Sequence, residues 1–175
     1  ASQLGRRACR AIEALELPTI ARVQGHAVGG GFALALACDF RIAAESAVFH
    51  VPEVDLGVPL TWGATPRLIL EVGAARAREI ILMCDPISAA QAERWGIANR
   101  VVPEDQLDAV VEQWAGRLAA KPEAAVHMTK TQFRAFAQRA NLGDVSESDG
   151  DLLMSASRGA VARESFRAEG TEETG

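Results

Sequence analysis

The chain has 175 residues, a formal net charge of −5 at pH 7 and 49% hydrophobic residues. This length suits one domain, and the hydrophobic share is ample for a packed core. The acidic balance, without any basic block, argues against a nucleic-acid partner, and no apolar run is long enough to cross a membrane.

The chain is predicted to open with an amphipathic helix. Residues 1–16 place four apolar side chains at helical spacing, with the arginines mostly off that face: Leu4, Ala8, Ile12 and Leu15. Leu17-Pro18 ends the helix, because the residue before a proline disfavours helical backbone. The β-rich run at residues 19–23 then predicts a strand.

A glycine-rich turn follows this strand. Gly25 and the glycine triplet at 29–31 lead into residues 32–37, a run of strong helix formers, so a strand, a turn and a buried helix are predicted. Three glycines at the start of a helix cost backbone entropy. Two explanations stay open. Either strand and helix pack closely, or an anion or developing oxyanion approaches the N–H groups at the helix N-terminus.

Two short strands and a loop are predicted next. Residues 39–44 and 47–51 have the composition of strands and are joined by Glu45-Ser46. Residues 52–62 contain two prolines and a glycine, which predicts an irregular loop. Loops on a rigid scaffold commonly carry chemistry.

Two helices are predicted between residues 63 and 83, divided at Gly73. Their inward positions form an apolar stripe: Leu68, Ile69, Val72, Ile80 and Ile81. A further helix begins at Ser88, whose hydroxyl stands three residues before Gln91 as in a capping box, and it ends at Gly96.

The last third of the chain is predicted to be helical after one more strand. That strand covers residues 97–102, and helices follow at 104–119, 122–140 and 147–166. The first of these helices has one apolar face: Leu107, Val110, Val111, Trp114 and Leu118. The polar residues 169–175 are expected to fray.

The cysteines indicate the compartment. Cys9, Cys38 and Cys84 are odd in number and lie in apolar or helical contexts, so they are interpreted as buried free thiols in a reducing compartment. The N-terminus lacks a signal-peptide pattern, and a cytoplasmic location is expected. Cysteines and histidines are scattered without ligand spacing, so no metal site is expected.

Three stretches in this order resemble the enoyl-CoA hydratase/isomerase (crotonase) superfamily: GHAVGGGFALALACDFRIA, PEVDLGVPLTWG and ILMCDPISAAQAERWGIANRVVP. The resemblance implies an α/β fold with a spiral core of repeated ββα units over residues 1–118, incomplete at its N-terminus. It also implies a C-terminal helical region, 119–175, that packs across subunits into a homotrimer or hexamer. The amphipathic pattern alone would equally let those helices cover their own core.

The resemblance also implies an upstream loop that gives one of two oxyanion N–H groups. The sequence begins after that loop, so a fragment or a truncated protein is expected. Members often end with basic and aromatic residues that contact coenzyme A. Residues 163–169 turn acidic instead, which argues against such contacts here.

Two residues receive catalytic roles by resemblance. Gly30 matches the position whose backbone N–H binds the thioester oxygen of an acyl-CoA as an enolate forms. Glu53 matches the carboxylate that moves a proton on the substrate's carbon chain, and an apolar pocket would raise its pKa toward the useful range. Substrate-binding positions are expected around them: Val28, Gly29, Gly30, Pro52, Leu56 and Trp62. The apolar loop at 56–62 would line the acyl pocket or simply pack on the core.

Ala33 departs from the pattern of the family's hydratases. Those enzymes place a second glutamate there, so that two carboxylates hold and activate water. Alanine cannot do this, whereas one carboxylate suffices for a 1,3-proton shift, so isomerase-type chemistry is favoured. Asp55 would face the same side as Glu53 in an extended segment, and His50 could hydrogen-bond Glu53 or act as a base. Both are more simply interpreted as structural or solvated.

Two histidines receive no catalytic role. His26 is interpreted as a packing residue, and His127 lies on a late helix away from the motifs.

Three functions compete at this point. The first is an enzyme acting on an acyl-CoA thioester, with no cofactor beyond the coenzyme A that the substrate carries. The second is a non-catalytic acyl-CoA-binding or assembly subunit, suggested by Ala33 and the absent loop. The third is a dinucleotide-binding domain, but the G-x-x-x-G-G-G spacing differs from G-x-G-x-x-G and no suitably placed acidic residue follows.

Overall fold

The computed structural model describes residues 2–140. Six α-helices, one short 3₁₀ helix (Glu104–Gln106) and six short strands occur there. The helices are α1 (Ser2–Ala14), α2 (Gly30–Ala37), α3 (Ala64–Met83), α4 (Ala89–Trp95), α5 (Leu107–Ala119) and α6 (Glu123–Ala140). The strands are β1 (Ile20–Val23), β2 (His26–Val28), β3 (Phe40–Ala44), β4 (Val48–His50), β5 (Ile87–Ser88) and β6 (Arg100–Val102).

The strands form two small sheets between which the chain alternates. One sheet has the order β1-β3-β6 and is parallel throughout. The other has the order β2-β4-β5, with β2 parallel and β5 antiparallel to β4. Thus β1-β2-α2 and β3-β4-α3 are successive ββα units, in which like strands pair side by side. This repeat confirms the predicted α/β spiral.

The apolar residues of these units pack into one main core. Phe32 of α2 and Phe49 of β4 meet edge to face with ring centroids 6.2 Å apart, and both are fully buried. A second cluster joins Ile42 to Leu107, with Val110, Val111 and Trp114 of α5 packed against it. The predicted inward face of α5 is therefore confirmed for four of its five residues, all except Leu118.

A buried arginine links strand β3 to helix α3 and to two loop carbonyls. Arg41 on β3 is 1% exposed, donates hydrogen bonds to the carbonyls of Ile97 and Cys38, and forms an ion pair with Glu71 of α3 at 3.1 Å. A charge this deep is tolerated only when its donors are matched, and this guanidinium meets acceptors from several segments.

Several local predictions need correction. In α1 the buried residues are Gly5 and Cys9, whereas Leu4 and Leu15 are 69% and 51% exposed, because the helix turns a different face to the core. Ile69 in α3 is also exposed. The predicted strand at 97–102 is shorter, since the N–H groups of residues 97 and 98 both donate to the carbonyl of Ala92 and close helix α4.

Other local predictions are confirmed. Ser88 and Gln91 form the capping box, and Gly96 ends α4 in a left-handed conformation. Gly73 interrupts α3 with φ 77° and ψ 160°, which is the predicted division. Cys9 and Cys84 are buried free thiols, while Cys38 is only half-buried.

The C-terminal part is described only in part. The helix at 122–140 is present as α6, where Lys130 donates to the carbonyl of Leu17 at 2.8 Å and to Asp39 at 2.7 Å. The predicted helix at 147–166 and the tail lie outside the described residues, and the domain boundary after residue 118 stays a prediction. Within residues 2–140, no helix has the length and apolar character that crossing a membrane requires.

Candidate active site

The glycine turn between β2 and α2 is the foundation of the site. Gly29 has φ 50° and ψ −110°, and its N–H donates to the carbonyl of His50 at 2.9 Å, which extends the β2–β4 pairing by one bond. Its own carbonyl accepts from the N–H of Ala33 at 2.9 Å and starts helix α2. The N–H of Gly30 therefore belongs to the first helical turn, where such groups have no intrahelical partner and carry positive partial charge.

Glu53 approaches this turn from the loop after β4. Three backbone bonds close residues 52–58 into a compact turn: Leu56 N–H to Pro52 O, Gly57 N–H to Val54 O and Val58 N–H to Glu53 O. They hold the backbone of Glu53 in place. Its Oε1 then lies 2.8 Å from where a Cβ atom on Gly29 would be. A β-carbon at position 29 would therefore force this carboxylate to move.

The carboxylate of Glu53 is poorly solvated. Its Oε2 is buried and has no hydrogen-bond partner among the described residues. Burial raises the pKa of Glu53, while a bond from its own backbone N–H and the charge of His50 act in the opposite direction. A carboxyl group whose pKa is raised by burial holds a proton more readily than a solvated glutamate, which suits it to proton transfer.

Trp62 lies against the next residue of the turn. A Cβ atom on Gly30 would stand 2.6 Å from the indole Cη2 and 2.7 Å from Cζ3. The ring also contacts α1, where a Cβ on Gly5 would overlap the indole. Trp62 has φ 62°, unusual for a residue other than glycine, and its carbonyl accepts from Arg67 Nη1 at 2.7 Å.

The structure thus brings together four of the predicted residues: Gly29 and Gly30 on the turn, with Glu53 and Trp62 against them. Val28 is the adjacent residue on β2 and is 37% exposed. Pro52 and Leu56 belong to the turn that carries Glu53, joined by a bond of 3.2 Å from Leu56 N–H to Pro52 O.

The residues weighed as substitutes for a second carboxylate have other surroundings, although His50 is near enough to act electrostatically on Glu53. His50 Nε2 lies 2.8 Å from the carbonyl oxygen of Cys84. Asp55 is exposed, because residues 53–57 form turns rather than an extended segment. Ala33 is 2% exposed, and Cys9 Sγ donates to its carbonyl at 3.7 Å.

The two remaining histidines have different outcomes. His26 is exposed, so its interpretation as a packing residue is wrong. His127 lies 3.7 Å from Glu16, which leaves it without a place at the site.

Sequence reasoning missed Gly5 as the residue that seats Trp62. Its only signal is a glycine inside an otherwise strong helix pattern, which costs about 1 kcal/mol relative to alanine and so suggests a close contact. Elsewhere, a cavity of about 1080 Å³ lies between α1, α3 and α6, and its lining includes Leu36, Leu70 and Phe133 but none of the predicted site residues. No group of His, Cys, Asp or Glu within residues 2–140 could hold a metal ion.

A carboxylate beside a helix N-terminus can exchange protons next to a place suited to negative charge. Comparisons with known proteins identify the family of the chain. The chain belongs to the enoyl-CoA hydratase/isomerase family, whose profile matches residues 3–171.

Named relatives include a crotonyl-CoA hydratase from Syntrophomonas wolfei. It is 45% identical over 127 residues, which are 73% of this chain and 49% of that protein. The chain therefore spans about half the length of this curated relative.

Solved structures confirm the spiral fold. An enoyl-CoA hydratase from Mycobacterium avium subsp. paratuberculosis matches with a TM-score of 0.90 at 31% identity, over 96% of this chain and 68% of that one. A monofunctional enoyl-CoA isomerase from M. smegmatis matches with a TM-score of 0.70 at 35% identity, over 78% of this chain and 64% of that one. Hydratases and an isomerase thus both share the fold.

Proposed function

We propose that the protein acts on an acyl-CoA thioester by proton transfer through Glu53, with the N–H of Gly30 stabilising the enolate oxygen. The observation that carries this proposal is the position of Glu53 Oε1 against Gly29, next to the helix N-terminus. A proton acceptor and a donor to negative charge then flank one reacting centre. Membership of the enoyl-CoA hydratase/isomerase family supports the thioester as the substrate class.

The mechanism needs one carboxylate and one oxyanion site. The thioester oxygen accepts a hydrogen bond from Gly30 N–H, and Glu53 takes a proton from the carbon next to the carbonyl. The electrons of that C–H bond move onto the oxygen as the enolate forms. Glu53 then returns the proton at the far end of the conjugated system, so a 3-enoyl-CoA becomes a 2-enoyl-CoA. An oxyanion donor of this kind is worth about 3 kcal/mol of transition-state stabilisation.

The isomerase direction rests on Ala33. A hydratase needs a second group to orient and deprotonate water, and the methyl group of Ala33 can do neither. His50 is engaged with a backbone carbonyl and Asp55 is exposed, so neither supports the missing role. We therefore favour a 1,3-proton shift over hydration.

The predicted partners and location belong to the same proposal. We propose an acyl-CoA as the ligand, a homotrimer or hexamer as the assembly and the cytoplasm as the location. No cofactor is proposed beyond the coenzyme A of the substrate. The alternative is an acyl-CoA-binding or assembly subunit without turnover. Ala33 is consistent with it, because a second catalytic carboxylate is absent there. It does not explain why Glu53 is buried with a raised pKa.

An NMR time course with a 3-enoyl-CoA tests the proposal. The wild-type protein should form 2-enoyl-CoA and stop there, Glu53→Gln should slow the reaction by about 10²- to 10⁴-fold, and Asp55→Asn should leave it unchanged. Continued conversion to 3-hydroxyacyl-CoA would contradict the isomerase assignment. Binding without any product would favour the non-catalytic alternative.

A further inference from the structure

The indole of Trp62 packs against two glycines of different helices. It contacts Gly30, the first residue of α2, and it fills the space that a side chain at Gly5 of α1 would need. Either contact would be lost if a β-carbon were present. The ring is nevertheless only partly buried, so part of it faces the surroundings of the glycine turn.

The backbone of Trp62 is held in an unusual conformation. Its φ of 62° is a conformation that costs free energy and persists only where neighbours determine it. Arg67 supplies one such neighbour: it donates to the carbonyl of Trp62 and forms a two-pronged ion pair with Glu13 of α1. The backbone of Trp62 is therefore linked through Arg67 to α1, while its indole packs against Gly5 and Gly30.

Glu53 and Trp62 consequently flank adjacent residues of one turn. The carboxylate lies against Gly29 and the indole against Gly30, whose Cα atoms are about 3.8 Å apart as in any trans peptide. A thioester whose oxygen meets Gly30 N–H and whose next carbon meets Glu53 starts its acyl chain within a few ångströms of the ring. A fixed indole at that distance leaves little length for the chain.

We propose that Trp62 determines acyl-chain specificity, with its indole forming a wall that restricts the substrate to short acyl groups. This inference rests on the proposed function, since it concerns the same site. Trp62 touches the acyl group and takes no part in proton transfer. Replacing it by alanine opens a channel toward α1 and admits longer chains.

The experiment is isothermal titration calorimetry of the full chain with butyryl-, hexanoyl-, octanoyl- and decanoyl-CoA, which are saturated and do not react. Affinity for the wild type should not rise beyond the shorter members. Trp62→Ala should gain up to about fourfold for each methylene that enters the vacated space, and at least about tenfold for octanoyl- over butyryl-CoA. Circular dichroism establishes that the variant is folded.

Gly5→Ala provides a second, independent variant. Its new methyl group overlaps the indole and must displace it, which should change chain-length preference in the otherwise wild-type protein. In the Trp62→Ala background the same change meets no ring and should alter binding less than about twofold. The double-mutant cycle should therefore show coupling of about fivefold or more.

The outcomes separate this inference from the proposed function. Equal weakening of all four ligands by Trp62→Ala, with no change in their ratios, would mean a purely structural tryptophan and overturn the inference alone. The same holds if the two variants act additively. If the wild type neither binds any acyl-CoA nor forms a Glu53-dependent product, the proposed function fails and this inference fails with it.

Discussion

Glu53 Oε1 lies 2.8 Å from the point where a Cβ atom on Gly29 would stand, although the two residues come from different ββα units. The stacking of β4 beside β2 brings them together, because His50 pairs with Val28 and the chain leaves both strands at the same end. The carboxylate and the glycine turn are thus positioned by backbone pairing rather than by side-chain contacts alone.

Gly29→Ala should displace the carboxylate of Glu53 and lower activity. The new methyl group would lie closer to Oε1 than real Cβ contacts do, and φ 50° strains any other residue at this position. We expect kcat to fall by about 10²-fold or more, because a misplaced base transfers protons poorly. Steady-state kinetics with a 3-enoyl-CoA provides the measurement.

Gly31→Ala is the matched control for that variant. A Cβ atom on Gly31 would meet nothing within 4 Å, and the residue lies in the first turn of α2. Alanine there should keep full activity and raise the free energy of unfolding by up to about 1 kcal/mol. A loss of activity equal to that of Gly29→Ala would show that the turn tolerates no substitution and that contact with Glu53 is not the cause.

Glu53→Gln should stabilise the protein at neutral pH while it slows turnover. Burial raises the pKa of Glu53 in the folded state, so its favourable contribution is present below the pKa of the unfolded chain and is lost as pH rises through the folded-state pKa. Glutamine does not ionise, so the variant keeps its stability as pH rises. Because the residue stays partly exposed and solvent screens its charge, we expect a gain of only about 1 kcal/mol, or a few degrees in Tm.

Thermal unfolding of both proteins between about pH 4 and pH 8 measures this difference. The gap in Tm should be largest at the alkaline end and close as Glu53 becomes protonated. A gap that widens toward acid would contradict a raised pKa. Asp55→Asn, on the exposed side of the same turn, should show no comparable gap.

Arg41→Met should be strongly destabilising. It removes the charge that pairs with Glu71 and leaves the carbonyls of Ile97 and Cys38 without their donor. Breaking a buried pair from one side typically costs about 3 to 5 kcal/mol. Urea denaturation should show this loss, whereas Arg22→Met, which removes an exposed pair with Asp108, should cost less than about 1 kcal/mol.

Gly73→Ala should test the kink in α3. No atom lies within 4 Å of the added methyl group, so the expected loss comes only from the backbone at φ 77°, and we expect about 1 kcal/mol or somewhat more. Gly116→Ala, equally free of neighbours but inside the regular helix α5, should instead stabilise by up to about 1 kcal/mol. Opposite signs in urea denaturation would confirm the distinction.

Local chemistry made much of this fold predictable. Three features depend only on residues that are neighbours in the chain, so the sequence predicts them: the capping box at Ser88, the division of α3 at Gly73 and the irregular loop that carries Glu53. The strands β2 and β5 escaped prediction, because runs of three and two residues have no period to detect and gain their hydrogen bonds from β4.

The sequence named the residues of the candidate site but not the contacts between them. Resemblance selected Gly30 and Glu53, and the sequence motif placed Trp62 nearby. The contact between Gly5 and Trp62 joins residues 57 positions apart in the chain, and no sequence pattern within either segment predicts it. The exposure of His26 and of Leu4 likewise depends on which side the core covers, which periodicity alone leaves undetermined.

The parallel pairing of β3 with β6 has a consequence for synthesis on the ribosome. Ile42 meets Arg100 in register, so one edge of β3 has no partner until nearly 60 more residues have been made. During that interval the nascent chain exposes an unpaired edge beside the apolar residues Ile42 and Ala43, a surface prone to association with other chains. Because β6 pairs with β3 late and from far along the chain, a low protein concentration or a chaperone during synthesis should raise the yield of folded protein.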